Sequence, residues 1–472
     1  MKTTKLFFMA ALALMTAACS NDDNEFAQQP QKAEGITITA QLAPKTNGAA
    51  TRAVADNGDN KITVTWAKDE HLAILYTVGS TKKVADATIT GVDGSGTATI
   101  SFTVDGGTTN DTPCTLVYPY SAAKEDHSGV KDAITLLAVQ DGTLNANLDV
   151  RVGAGTIQTT TPGLTVTTQP AAQFAIWKLT LNNSAKDLYI TAGGVLIAGA
   201  IRSSAGTEFY VAVPAVDSKT VAAVATDGSS NSWFFSKAGV SLAAGKYYQS
   251  SPTMNEVGTS SSEAVYKMTG AGTIPAGKTA VLSGVTFSST ISCSGDATII
   301  LMGNNTLNGG LQASPSGKTM TITGTGSLNA HGSDDNPGIG AFGDNNCGNI
   351  IICGGTITAQ SGDPVSESAG IGSGEEGTCG NITICGGTVT ATGGVCGAGI
   401  GSGEMTCGTV TITDGATKVT ATKGSAAGNS IGKGNGFCDT VTIDGVVNAT
   451  TSSTFEHFNS AVSGYTWTLT HK

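Results

Sequence analysis

Five rows in the last third of the chain repeat one short pattern: "MTITGTGSLNA", "IIICGGTITAQ", "ITICGGTVTAT", "VTITDGATKVTAT" and "VTIDGVVNAT". They align on Ile322, Ile352, Ile384, Ile412 and Ile443, at intervals of 30, 32, 28 and 31 residues, and "ATIILMGNNTLNG" aligns upstream on Ile300 at a shorter interval of 22. A short strand, a Gly turn, a second strand, the "GIGSG" turn and a return to the start describe one coil of a solenoid with about three strands per turn. No single coil can bury its apolar face. Stacking solves the problem, because each strand then pairs in parallel with its copy one turn on, about 4.8 Å away. The spacing predicts a right-handed parallel β-helix over residues 266–472, with Tyr465, Trp467 and Leu469 of "YTWTLTHK" covering the last coil.

Stacking turns recurring residues into columns. Cys347, Cys379, Cys407 and Cys438 share one position, and Cys353 and Cys385 share another. Three readings are open for these thiols: a buried ladder packing as small hydrophobes, strained disulfides between parallel neighbours, or a metal site, although the spacing matches no familiar zinc pattern. Cys114 and Cys293 stand alone in sequence. A second column is acidic and lies in the "GIGSG" turn: Asp344, Glu375 with Glu376, and Glu404, continued by Asn435. Carboxylates one strand spacing apart repel unless they are solvated, protonated or bridged by a hard cation. Solvated turn residues are one expectation for this column and a calcium site is the other. Asp334 and Asp335 in "HGSDDNPG" form a second calcium candidate.

The remaining sequence is also built for strands. Gly makes up 63 of 472 residues, about twice the usual share, and charged residues about half theirs. "GITITAQLA" alternates Ile36, Ile38, Ala40 and Leu42 on one side, and "KITVTWAKDEHLAILYTVG" reads as two strands broken at Lys68-Asp69-Glu70. "FAIWKLTL", "LYITAGGVLIAGAIR", "EFYVAVP" and "LAAGKYYQSSP" continue in the same manner. Such spacing, with Gly, Pro and Asp turns between strands, predicts two tandem β-sandwiches. The fold class expected is therefore all-β: a sandwich over 36–160, a second over 161–257, a linker at 258–265 and the β-helix.

At the N-terminus "MKTTKLFFMAALALMTAAC" carries Lys2 and Lys5, an apolar run and small residues before Cys19, the layout of a secretory signal over 1–18. Ala17-Ala18-Cys19 resembles a bacterial lipobox, which implies acylation of Cys19, and "SNDDNE" after it resembles a sorting tag for the outer face of the outer membrane. Residues 19–35 would be a disordered tether. The order of lipobox, short strand, "TRA", "ITVTWAKDEHLAILY", "YPYSA", "FAIWKLTL", "FYVAVP" and "LAAGKYYQ" resembles the fimbrillin-like lipoproteins of Gram-negative anaerobes, over residues 19–256. That resemblance implies subunits or tips of surface pili. It also implies cleavage after Arg52, release of the first strand and exchange of strands between subunits. An exposed loop arginine is the alternative reading of Arg52. Residues 264–450 resemble β-helical carbohydrate-binding repeats of bacterial surface proteins, although the clearest coils offer only Phe342 and Phe437 for stacking a sugar.

Charge and chemistry narrow the function. The net charge is −11, and after Ser261 there are seven Lys and no Arg, so nothing there can track a phosphate backbone and nucleic acid is not an expected partner. A polysaccharide lyase needs a base beside the uronate, and a hydrolase needs paired carboxylates with separated pKa values. The solenoid has only scattered Lys, and the histidines at 71, 127, 331, 457 and 471 form no cluster with a nucleophile. We therefore expect a non-enzymatic adhesin, lipid-anchored in the outer membrane, acting as a fimbrial tip or accessory subunit whose β-helix meets a glycan or host surface. A stand-alone polysaccharide-binding lipoprotein and a calcium-dependent lyase are the alternatives.

Overall fold

The computed structural model describes residues 35–45, 54–56, 62–363 and 365–472. Cys19 and Arg52 lie outside them. Among the described residues helix is confined to Ala133–Leu137 and two short 3-10 turns, and none is long and apolar enough to cross a membrane. The all-β expectation holds, with two sandwich units followed by a parallel β-helix.

The first unit is a seven-stranded antiparallel sheet in the spatial order Ile36–Leu42, Ala98–Val104, Thr81–Val92, His71–Val78, Thr112–Tyr118, Arg151–Gln158, Gly163–Ala172. It rolls until its first and last strands touch. The concave side is filled by alternate residues, among them Ile38, Leu42, Leu72, Ile74, Ile89, Ile100 and Leu116. Ala73, Leu75 and Val117 point the other way, into a core shared with the second unit. His71–Val78 is thus apolar on both faces, which explains its run of five buried residues. Gly163–Ala172 closes this first sheet, so the second begins at Ala175 rather than at 161.

The second unit is built on two long strands, Ala175–Ala192 and Val195–Val213, joined by Val216–Thr226, Ser232–Leu242 and Asn255–Glu256, with Tyr247–Ser250 in parallel beside Ala175–Ala192. Register shifts between Thr180 and Asp187 break the long ladder. Such bulges bend a sheet, and Leu179 and Ile190, on either side of them, line the same core.

From Val265 onward every coil stacks in parallel on the one before. Ile322, Ile352, Ile384, Ile412 and Ile443 pair in sequence, and all are fully buried inside the coil. Upstream the column continues through Ile299, which pairs with Ile322, not through Ile300. A slip of one residue sends a strand side chain to the opposite face; Ile300 accordingly points outward, yet remains buried. On a second side, Ile339–Gly340, Ile371–Gly372, Ile400–Gly401 and Ile431–Gly432 stack as a row of two-residue strands. Glycine is required there: Gly372 has φ 138°, and a Cβ on it would lie 1.8 Å from the Gly401 carbonyl oxygen. Thr466–His471 runs antiparallel to Lys418–Thr422 and covers the last coil with Trp467 and Leu469. Tyr465, expected in that cover, is 53% exposed; Phe455 and Phe458 take its place.

The β-helix does not project freely from the sandwiches. Val265, Val281, Ile300 and Met302 on its outer face pack against Tyr189, Leu196, Ala222 and Val224 of the second sheet. Thr298 Oγ1 donates to the Gly194 carbonyl at 2.7 Å, and Lys131 Nζ of the first unit lies 2.8 Å from Asp414 in a later coil. Residues 258–265 connect the two units, with 258–263 exposed and Val265 buried where they meet. Lys267 N–H donates to the Gly258 carbonyl at 2.7 Å, and Val257 and Val265 are buried in the junction.

Candidate functional site

The turns that follow the Ile-Gly pairs at 339, 371 and 400 bring carboxylates to one edge of the β-helix. Glu375 stands four residues after Ile371, and Glu404 four after Ile400. Glu367, four residues before Ile371, joins them, and oxygens of all three lie within 4.8 Å of one another. Three glutamates on this edge are held protonated to higher pH than usual by their neighbours: Glu367 by Glu404, Glu375 by Asp335 and Glu376 by Asp344. The acidic column splits in consequence. Glu375 and Glu404 meet Glu367, while Asp344 and Glu376 pair beside them.

Two members of this edge come from a row the coil alignment did not use. Asp335, Glu367, Cys396 and Ala427 each stand four residues before the Ile of an Ile-Gly pair. Asp335 of the "HGSDDNPG" loop therefore joins the same acidic edge rather than forming a second site. Cys396 Sγ lies 3.7 Å from Glu367 Oε1. Hard oxygen donors at this separation suit calcium, which takes six to eight oxygens; the three carboxylates supply part of such a shell and leave room for water.

The thiols divide by face. Cys347, Cys379 and Cys407 lie inside the coil, with Cys347 Sγ and Cys379 Sγ 3.1 Å apart. Cys353 and Cys385, with sulfurs 2.9 Å apart, lie on the outer face in the junction with the second sheet. Burial pushes the Cys293 thiol up to about 12. The thiols of both columns are free and pack among apolar neighbours.

Phe342 is buried, and Phe437, 56% exposed, stands alone. By contrast, an open cleft of about 510 Å³ on the second sheet is lined by Trp177, Phe235 and Tyr248, with Lys237, Ser241 and Gln249 around it. A mostly apolar cleft with a few polar groups is the usual form of a small-ligand site.

The third feature is the leading strand. Ile36–Leu42 sits at the edge of the first sheet, paired along its whole length with Ala98–Val104. Ile38 and Leu42 are fully buried and Ala40 nearly so. Beyond Leu42 the chain stays tied down: Trp66 Nε1 donates to the Ala43 carbonyl at 2.9 Å, and Ala43 N–H donates to Gln169 Oε1 at 3.2 Å.

Compared with known proteins, residues 350–375 and 382–404 match the β-helix repeat family. No curated protein matches the chain. Two solved structures are similar to part of it: a candidate cell adhesion protein from Bacteroides uniformis and a fimbrial assembly protein from Parabacteroides distasonis. The first is 10% identical with a TM-score of 0.26, covering 47% of this chain and 97% of its own. The second is 12% identical with a TM-score of 0.27, covering 47% and 92%.

Proposed function

We propose that the protein is a non-enzymatic surface adhesin, lipid-anchored through Cys19, that enters a fimbrium as a tip or accessory subunit after cleavage at Arg52. The observation that carries this reading is the leading strand. Ile36–Leu42 is an edge strand whose loss would break no strand order, yet would open a groove lined by the partners of Ile38, Ala40 and Leu42. An unpaired sheet edge above an apolar groove accepts a strand from another chain. Arg52 follows this strand in sequence, where a cut would free it.

The β-helix and the second sheet supply the binding surfaces, with the cleft at Trp177, Phe235 and Tyr248 taking a glycan and the acidic edge taking calcium. Wild-type and Arg52→Ala proteins expressed in cells that make fimbriae test the reading. The mature N-terminus of the wild type should fall after Arg52, and the variant should stay in the outer membrane, absent from purified fimbriae. An intact wild-type N-terminus would favour the stand-alone polysaccharide-binding lipoprotein, a second reading supported by the unbroken register of the leading strand in the uncut protein. Release of unsaturated uronides from acidic polysaccharide would instead establish a lyase.

A further inference from the structure

The leading strand ends in a cation, and the sheet holds a box for it. Three residues beyond Leu42, the Lys45 side chain is fully buried. Its Nζ lies 3.5 Å from the centre of the Tyr118 ring and 4.1 Å from that of Trp66. The two rings meet edge to face, with centroids 5.2 Å apart. Asp149 Oδ2 is 3.1 Å from Nζ. Behind this wall Arg151 Nε donates to both Asp149 oxygens, at 2.9 and 2.8 Å. Tyr118 donates its hydroxyl to Glu70 Oε1 at 2.8 Å, and Ala67 N–H donates to Glu70 Oε2 at 3.0 Å.

Every member of the box except Lys45 belongs to the part of the chain that remains after a cut at Arg52. With Lys45 in place, two cations face two carboxylates. Without it, Asp149 and Glu70 share only Arg151, and two aromatic faces lose the charge they enclose. An unbalanced carboxylate in a buried place is costly, and aromatic faces attract a cation most strongly where water is excluded.

We propose that the emptied box selects the strand that replaces Ile36–Leu42: the incoming strand belongs to another polypeptide and carries alternating apolar residues at three positions, with a lysine three residues after the last. The apolar positions fill the places of Ile38, Ala40 and Leu42, and the lysine enters between Trp66 and Tyr118 to pair with Asp149. A strand with the right apolar rhythm and an acidic residue at the last position is rejected by Asp149 and Glu70. This inference rests on the strand-exchange reading above and adds the chemistry of the partner.

The test uses the full chain cut after Arg52, whose severed strand must leave before another can enter, and follows its replacement by excess fluorescent peptide of residues 35–50 in native, Lys45→Met and Lys45→Glu forms. The native peptide should bind. The Met form should bind about 10-fold more weakly and the Glu form about 100-fold more weakly. A Leu42→Asp peptide should fail whatever stands at position 45, because it removes the apolar fit. Equal binding by the Lys, Met and Glu forms would overturn the selection while leaving strand exchange standing. Failure of the native peptide itself would overturn both.

Discussion

Ile299 and Ile300 are neighbours in sequence, and both are fully buried, but they sit in different cores. Ile299 stacks between Ala280 and Ile322 inside the coil, and Ile300 packs in the junction with the second sheet. Truncating a buried isoleucine to alanine costs about 2–5 kcal/mol, so Ile299→Ala should destabilise the coils and Ile300→Ala the junction, each by about 3 kcal/mol. That corresponds to a change on the order of 100-fold in the open fraction. The thiols report which opening has occurred, since Cys353 and Cys385 lie in the junction and Cys347, Cys379 and Cys407 inside the coil. In fully reduced protein, alkylation followed residue by residue by mass spectrometry should show Ile300→Ala speeding modification of Cys353 and Cys385 alone. Ile299→Ala should speed modification of Cys347, Cys379 and Cys407 as well. If Ile300→Ala exposed the inner thiols, or if Ile299→Ala left them untouched, the register of the stack and the docked junction would both be wrong.

At the acidic edge, millimolar calcium should raise the melting temperature of the β-helix, and Glu404→Gln should abolish that gain; an unchanged melting temperature in wild type would leave only solvated carboxylates. Glu367, Glu375 and Glu376 titrate above their usual range, so their contribution to stability is full below the unfolded carboxylate range and is lost as pH rises through the folded values. Without calcium, the β-helix should therefore melt higher at pH 4–5 than at pH 7. Gly372→Ala should prevent soluble folding of the coils, because its Cβ meets the Gly401 carbonyl at 1.8 Å; circular dichroism and protease resistance decide the outcome. Desolvation raises the Asp187 carboxyl in the junction, where Oδ2 accepts from Thr226 and Thr325. By the same sign, Asp187 supports the folded state below the unfolded value and loses that support as pH rises through the folded one. Alkylation of Cys353 should thus quicken from pH 5 to pH 7 after correction for thiolate fraction, and Asp187→Asn should remove the acceleration.

The periodic features of this fold were legible because a solenoid repeats one local decision many times. The isoleucine column from Ile322 to Ile443 needed only spacing to be found, and the Cys and Glu columns came with it. Reading failed where both faces of a strand are buried. In Ala297–Met302 every residue is buried, so no alternation marks which isoleucine points inward, and the column was placed on Ile300. Gly163–Ala172 pairs as a hairpin with Arg151–Gln158, but only Pro170 along it is buried, so its sequence carries no sustained apolar alternation to say which sheet it joins. Glu367 went unnoticed because the coils were aligned on their strands; alignment on the Ile-Gly turn places it in one row with Asp335. Lys45 gave no signal at all. A single lysine after a strand reads as solvated, and only the three-dimensional approach of Trp66, Tyr118 and Asp149 makes it a buried group.

The side-by-side junction has a consequence for how such a protein can change its length. A free solenoid grows by duplicating a coil, since one more rung of about 4.8 Å disturbs nothing beyond itself. Here the coils are matched against a platform: early ones meet Leu196 and Val224, and a later one places Asp414 opposite Lys131. An inserted coil would slide every subsequent rung out of step with its counterpart, so the sandwiches act as a ruler that sets how many coils the β-helix can hold.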